Sequence, residues 1–139
     1  MISFTVYGEP KGKGRPRFRR MGNFVQTYSS EVTINYENLV KMSFVESCQE
    51  RYLDSQPLEV DIVIYQSIPS STSKKKQKEM EEGNLRPTKK PDCDNVIKAI
   101  LDGLNKVAYK DDTQIVKLSC EKFYSNEPRV EILIKELER

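Results

Sequence analysis

The sequence predicts an α/β (α+β) fold: a single domain with a small mixed β-sheet of about four to five strands, packed by helices. Its 139 residues are the usual length of one domain. Apolar residues make up 37% of the chain, which suffices for a hydrophobic core and argues against a disordered chain. Segments with the period of strands alternate along the chain with segments that have the period of helices. We therefore treat residues 1–139 as one domain.

The first part of the chain predicts a strand, a basic arm and a long helix. Ile2–Tyr7 alternates between apolar and polar residues, which indicates a strand. Residues 8–22 contain four glycines and two prolines, so they exclude a regular helix or a central strand and predict a loop or arm. A short strand at residues 23–28 and a serine-capped helix up to about residue 53 are expected next. The buried stripe of that helix is predicted to comprise Val32, Tyr36, Leu39, Val40, Phe44, Val45 and Cys48.

The middle of the chain predicts one strand and two helices. The segment L-E-V-D-I-V-I-Y at residues 58–65 alternates as a strand does. The charged segment S-S-T-S-K-K-K-Q-K-E-M-E-E-G predicts a short capped helix that ends at Gly83. Residues 92–105 predict a further helix, because a proline precedes them, an aspartate can cap them and apolar residues recur on one face. That face comprises Val96, Ile97, Ile100, Leu101 and Leu104.

The last part of the chain predicts a turn and two more strands. The turn is expected at residues 107–112, and the strands at residues 113–123 and 129–137. The short connection S-N-E-P between them leads us to expect that these two strands pair as a hairpin.

The composition excludes several classes of active site. The chain has no histidine, so it cannot carry a Ser-His-Asp triad, a Cys-His pair or a histidine metal site. Its three cysteines show no CxxC spacing, so we expect free thiols rather than a zinc cluster. Acid, base or metal chemistry must therefore come from carboxylates, lysine, tyrosine or cysteine. No apolar run reaches membrane-spanning length and no secretory leader is recognisable, so we expect a cytoplasmic protein without membrane contact.

Five aspartates crowd into K-P-D-C-D-N-V-I-K-A-I-L-D-G-L-N-K-V-A-Y-K-D-D-T-Q-I, at residues 90–115. Asp94, Lys98 and Asp102 are spaced four residues apart, which places them on one face of a helix. A strand that begins near Asp112 can carry that residue back beside Asp92 and Asp94. Carboxylates that converge repel one another unless a cation joins them, and hard oxygen ligands suit Mg²⁺ or Mn²⁺. Such an ion activates water and stabilises charge on a phosphodiester.

Each part of this cluster also has a purely structural interpretation. An aspartate at a helix N-terminus usually caps the helix, although a cap does not require both Asp92 and Asp94. Asp94, Lys98 and Asp102 can be surface pairs along the helix. One residue of the Asp111–Asp112 pair can serve only the turn, and we favour Asp111 for that role.

Two basic segments flank an otherwise acidic chain. Residues 1–25 carry six basic groups and one acidic group, and residues 74–90 carry seven basic and three acidic groups. Such asymmetry favours a polyanionic partner, although a solvated arm or a self-paired charged helix remains the alternative. Phe18 and Phe24 can stack on exposed bases. The predicted nucleic-acid-binding residues are Lys11, Lys13, Arg15, Arg17, Arg19, Arg20, Lys89 and Lys90.

The two ends of the chain resemble the RusA family of Holliday-junction resolvases. The stretch D-C-D-N-V-I-K-A-I-L-D-G-L-N, followed by D-D-T-Q-I, is similar to the family signature of two acidic clusters with a lysine four residues after the second aspartate. The segment G-E-P-K-G-K-G-R-P-R resembles the start of many phage members of the family. Between residues 29 and 85 the resemblance is limited to pattern and length.

The resemblance implies a small mixed sheet with helices and a metal-dependent endonuclease. It implies that Asp92, Asp94 and Asp112 are the catalytic, metal-binding carboxylates and that Lys98 is the catalytic lysine. Family members act as homodimers on four-way branched DNA and make paired nicks with Mg²⁺ or Mn²⁺. We therefore expect a Holliday-junction resolvase. Three alternatives stay open: a junction-binding protein that does not cut, a less selective nuclease for branched DNA, and a magnesium enzyme that acts on small molecules such as nucleotides.

Overall fold

The computed structural model describes residues 1–137, so the last two residues of the predicted domain lie outside the described part. Within these residues, an α+β fold of three α-helices and six strands forms one compact domain, which confirms the predicted fold class. The elements are β1 (Ile2–Tyr7), β2 (Arg17–Met21), β3 (Phe24–Tyr28), α1 (Glu31–Ser47), β4 (Leu58–Ser67), α2 (Lys74–Glu81), α3 (Cys93–Leu104), a 3₁₀ turn (Asp112–Gln114), β5 (Ile115–Ser125) and β6 (Arg129–Glu136).

Four of the strands form a mixed sheet in the order β1-β6-β4-β5. β4 runs parallel to β5 and antiparallel to β6. The predicted hairpin between β5 and β6 is therefore wrong, because β4 lies between them. β4 takes the central place because it is the most buried of these strands, with Leu58, Val60, Ile62 and Ile64 in the core. β5 is largely exposed along its first half, as suits a strand at the edge of a sheet.

The predicted arm at residues 8–22 is only partly irregular. Residues 8–16 have no regular structure, whereas β2 pairs with β3 in a separate two-stranded sheet. This pairing adds β2 to the prediction and confirms the returning strand β3. Gly22 lies in the turn between them with a φ of 61°, which glycine adopts without steric cost. Both strands are exposed along their whole length, so this hairpin stands away from the core.

α1 begins as predicted and ends earlier than predicted. Its N-cap is Ser30, whose side chain accepts a hydrogen bond from the backbone N–H of Thr33, and its last residue is Ser47 rather than a residue near 53. The predicted buried stripe is too wide, because a helix on one side of a sheet buries only one face. The buried residues of α1 are Thr33, Tyr36, Val40 and Phe44, whereas Val32, Leu39 and Val45 are exposed.

α1 and α3 pack against each other unusually closely at Gly103. A Cβ atom at this position would lie 2.9 Å from the backbone oxygen of Glu37, so only glycine fits here. This approach places the last turn of α3 directly beside the middle of α1. The other two helix predictions are confirmed: α2 begins after its cap Ser73 and is followed by Gly83, and α3 spans nearly all of residues 92–105. Among the described residues, no helix is long and apolar enough to cross a membrane.

Candidate active site

The N-terminus of α3 presents two exposed carboxylates. Asp92 occupies the N-cap position, yet its side chain accepts no capping hydrogen bond from the helix backbone. The amide of Asn95 donates to its Oδ2 at 3.5 Å. Asp94 follows in the first turn and is also exposed. Capping therefore does not account for the carboxylate of Asp92, which is free to bind a ligand.

Two neighbouring strands hold the backbone immediately before α3. Gln66, in β4, donates from its side-chain amide to the carbonyl of Lys90 at 3.1 Å. Lys122, in β5, donates from Nζ to the carbonyl of Lys89 at 2.7 Å. The peptide bond between Lys90 and Pro91 is cis. The central sheet thus fixes where α3 starts, while the side chains of Lys89 and Lys90 remain exposed.

The two neighbouring aspartates of the 3₁₀ turn before β5 make different contacts. Asp111 caps this turn, because its carboxylate accepts a hydrogen bond from the backbone N–H of Thr113 at 3.3 Å. The side-chain oxygen of Gln114 accepts from the backbone N–H groups of Lys110 and Asp111 at 2.9 and 3.0 Å. Asp112 is exposed and belongs to neither of these contacts. The structural role that the sequence favoured for Asp111 is therefore confirmed.

Gln114 is a supporting residue that the sequence interpretation missed. It is only 8% exposed, and its amide donates to the carbonyls of Tyr52 and Gln56, each at 3.1 Å. These bonds fasten the turn that carries Asp112 to the segment before β4. A glutamine two residues after an acidic pair was visible in the motif D-D-T-Q, but nothing in the sequence shows its partners.

Electrostatic effects connect Asp112 with the last turn of α3. The pKa of Asp112 is raised, first by a hydrogen bond shared with Asp111 and then by burial and the negative charges of Asp111 and Asp102. The pKa of Asp111 is lowered, first by the backbone N–H of Thr113 and then by Asp112. Because Asp102 lies in the last turn of α3, this turn and the 3₁₀ turn share one negatively charged region.

The face of α3 that carries Lys98 does not show the surface pairs that were the alternative interpretation of its spacing. Within residues 1–137, Lys98 makes no ion pair and its side chain is exposed. Asp102 instead contacts Nζ of Lys13, which lies in the arm 89 residues earlier. Lys98 is therefore available for a ligand on the same side of α3 as Asp94.

A cavity of about 610 Å³ lies between the arm and the start of α3. Residues 10–15 form one wall, and residues 90–92 together with Asn95 form the other. Basic residues of the arm and the carboxylate of Asp92 thus line one space. The remaining arginines of the arm, Arg17, Arg19 and Arg20, follow on the exposed hairpin beside Phe18 and Phe24.

The basic residues of the prediction fall into two groups. Lys13 is engaged inside the protein, where its Nζ contacts Asp102 and lies 3.4 Å from Oε1 of Glu37. Arg19 also has an internal partner, since its Nη2 donates to Gln26 on the paired strand at 3.2 Å, but it stays exposed. The other residues of the group are exposed as well: Lys11, Arg15, Arg17, Arg20, Lys89 and Lys90.

The predicted metal ligands are not assembled into one cluster. In the part of the chain that the structure describes, no group of three cysteine, aspartate or glutamate side chains is close enough to hold a metal ion. Asp92 and Asp94 lie at the start of α3, and Asp112 shares its charged region with Asp102 near the end of that helix. The three cysteines are free thiols, as expected, and Cys93 packs against the hydrophobic core.

The fold and the site define a small α+β protein in which the acidic start of a helix faces a basic segment. The sequence model of the family described as "Endodeoxyribonuclease RusA" matches residues 7–135. The "Uncharacterized protein YqaN" of Bacillus subtilis (strain 168) is 41% identical over 138 residues, which cover 98% of this chain and 96% of that protein. The chain therefore belongs to the RusA endodeoxyribonuclease family, whose members act on branched junction DNA.

Proposed function

We propose that this protein is a metal-dependent endodeoxyribonuclease that resolves four-way DNA junctions by paired hydrolysis of phosphodiester bonds. One observation carries the proposal: the uncapped carboxylate of Asp92 lines the same cavity as the basic arm. A phosphodiester bound by the arm is thereby brought to the acidic start of α3. The cytoplasmic location expected from the sequence is part of this proposal, because the substrate is DNA.

The residues that would hold Mg²⁺ or Mn²⁺ are Asp92, Asp94 and Asp112, which lie apart in this structure and would have to come together around the ion. Their oxygen donors suit these hard cations, and Asp92 has no capping bond to give up. The hydrogen bond with Asp111, burial and the neighbouring negative charges raise the pKa of Asp112, and a cation nearby would favour its ionised form. When bound, the ion supplies Lewis-acid stabilisation of the phosphoryl oxygens and lowers the pKa of water.

The chain's own groups supply the remaining chemistry. In hydrolysis, the oxygen of water forms a bond to phosphorus, one phosphorus–oxygen bond to a sugar breaks, and the departing oxygen gains a proton. Carboxylates at the start of α3 can accept the proton that the attacking water loses. Lys98, one turn after Asp94 and exposed on α3, can neutralise charge on the phosphoryl group.

The exposed hairpin supplies the contacts to DNA in this proposal. Arg15, Arg17 and Arg20 are exposed and can neutralise phosphates, which makes binding sensitive to salt and independent of base sequence. Phe18 and Phe24, 71% and 78% exposed, can stack on bases that are unpaired at a branch. Lys89 and Lys90 lie immediately before the acidic start of α3 and extend the basic surface to it.

We propose further that the active form is a homodimer, since a two-fold enzyme can place two sites on two strands of a two-fold junction. The outward face of α1 offers apolar surface for a second copy. Val32, Leu39, Met42 and Val45 recur along it and are 42–60% exposed. Leu39, Met42 and Val45 follow one another at intervals of three residues and so form a slanting row on the outward side of the helix, against which another helix can pack.

A cleavage assay on matched DNA substrates tests the proposed function. The protein is incubated with a synthetic four-way junction, a flap and a linear duplex of related sequence, in Mg²⁺ or in EDTA. The proposal predicts symmetric nicks in the junction, little cleavage of the other two, and no cleavage in EDTA. Cleavage of all three would favour a less selective nuclease, and tight junction binding without nicks would favour a binding protein. Hydrolysis of nucleotides without DNA binding would favour a small-molecule enzyme.

A further inference from the structure

Lys13 differs from the other basic residues of the arm in its surroundings. Its Nζ contacts the carboxylate of Asp102 in α3 and lies 3.4 Å from Glu37 in α1. Its side chain is 28% exposed, whereas Arg15 and Arg17 are exposed. An ammonium group shared by two carboxylates has little capacity left for a DNA phosphate.

The backbone around Lys13 is also attached to both helices. The N–H of Lys13 donates to the carbonyl of Asn95 in α3 at 2.9 Å, and the N–H of Gly14 donates to the hydroxyl of Thr33 in α1 at 3.0 Å. Gly12 lies so close to α3 that an added Cβ atom would be 3.0 Å from Cβ of Asn95. Three successive residues of the arm therefore contact the helices that carry the candidate site.

The ion pair also reduces the negative charge of the site. Asp102 lies in the last turn of α3, in the negatively charged region that this turn shares with the 3₁₀ turn. The ammonium of Lys13 neutralises Asp102 from the side of the arm. Fastening the arm and offsetting this charge are thus two effects of one side chain.

We propose that Lys13 is a positioning residue, which fastens the basic arm across α1 and α3 so that Arg15 and Arg17 are presented beside the acidic start of α3. This role replaces the phosphate contact that the sequence predicted for Lys13. Its consequence for cleavage rests on the proposed nuclease function, whereas the fastening of the arm does not.

Native-state proteolysis tests the fastening without DNA. Asp102→Asn removes one of the two charged partners of Lys13, leaves Glu37 in place, and keeps every trypsin site of the arm intact. Trypsin should cut this variant after Lys11 and Lys13 about two- to fivefold faster than the wild type, because a partly exposed ion pair contributes modestly to local stability. Asp54→Asn changes an exposed aspartate outside the arm and is the matched control. Trypsin should cut this variant at the wild-type rate. Equal rates for Asp102→Asn and the wild type, at unchanged melting temperature, would overturn the proposal.

The salt dependence of junction binding separates an anchor from a phosphate contact. A lost phosphate contact lowers the slope of log affinity against log salt by about 0.9. We expect this loss for Arg17→Met and an unchanged slope for Lys13→Met. An equal loss of slope in both variants would show that Lys13 contacts DNA and would overturn the proposal. Absence of any junction binding would count against the proposed function, and proteolysis would still decide the role of Lys13.

Kinetics of cleavage separate positioning of the arm from the chemical step. Lys13→Met should raise KM for the junction about fivefold with little change in kcat, since the reacting groups stay in place. Lys13→Arg keeps a positive charge that can form the ion pair, so its KM should stay close to the wild-type value. A large fall in kcat at unchanged KM in Lys13→Met would contradict the positioning role.

Discussion

The backbone N–H of Lys13 donates a hydrogen bond to the carbonyl of Asn95 at 2.9 Å. This bond joins the basic arm near the N-terminus of the chain to the first turn of α3, directly after Asp94. The arm and the acidic residues are therefore parts of one folded unit. In the proposed function, a substrate bound by the arm would lie beside the carboxylates at the start of α3, whose position the central sheet fixes.

The two aspartates of the 3₁₀ turn should respond differently to substitution. Asp111→Ala removes a capping group and should lower the free energy of unfolding while leaving most of the cleavage rate. Asp112→Asn removes a proposed metal ligand and should lower kcat by about 10²- to 10⁴-fold with unchanged or slightly higher stability, because it also removes repulsion between carboxylates. Urea denaturation and junction cleavage measure both effects. Full activity of Asp112→Asn would remove this residue from the site.

Gln114→Ala should destabilise the protein more than the substitution of an exposed neighbouring residue does. The substitution leaves buried carbonyls and N–H groups without partners, which costs about 1–3 kcal/mol. It should also lower the cleavage rate, since the turn that carries Asp112 loses its attachment. Thr113→Ala is the matched control, because the side chain of Thr113 is exposed. Equal melting temperatures for the two variants would show that Gln114 does not support the turn.

The ion pair of Lys13 should contribute to stability only below a strongly alkaline pH. The hydrogen bond with Asp102, partly offset by burial, raises the pKa of Lys13 above its ordinary value of 10.5. A raised pKa in the folded state means that the stabilisation is complete below 10.5 and disappears as pH rises through the folded-state pKa. The difference in unfolding free energy between the wild type and Lys13→Met should be about 0.5–1 kcal/mol at pH 8 and should shrink above pH 10.5. A difference that grows with pH in this range would contradict the ion pair.

The exposed row on α1 should control assembly. Leu39→Lys combined with Met42→Lys places charges in the proposed contact and should convert a dimer to a monomer in light scattering after size-exclusion chromatography. Both side chains are exposed, so the fold should be retained. Lys41→Gln, on the same helix, is the matched control and should remain dimeric. A wild-type protein that is monomeric at micromolar concentration, yet makes paired nicks, would contradict the proposed dimer.

Local sequence patterns predicted most elements of the fold correctly. Period and capping residues were sufficient for β1, for β4 and for the starts of α1, α2 and α3, because these signals lie within a few residues of each element. The pairing of β5 was not predictable in this way. β5 pairs with β4, the central strand. Which strand becomes central depends on burial on both faces, and that burial depends on the whole sheet.

In the candidate site, too, features set by neighbouring residues were predictable from the sequence, whereas contacts between residues far apart in the chain were not. Spacing placed Asp92, Asp94 and Lys98 correctly on α3, and the turn role of Asp111 followed from its neighbours. The partner of Asp102 was not predictable, because Lys13 lies 89 residues away and the basic segment looked like a uniform DNA-binding arm. The bonds of Gln114 to Tyr52 and Gln56 were hidden for the same reason, since they span 62 and 58 residues.

The most direct test of the central claim is cleavage of a synthetic four-way junction by the wild type and by Asp94→Asn in Mg²⁺. The claim predicts symmetric nicks from the wild type and none from the variant, with junction affinity and melting temperature retained. Cleavage of the junction at equal rates by both proteins would contradict the claim, because the acidic start of α3 would then not be the site of hydrolysis.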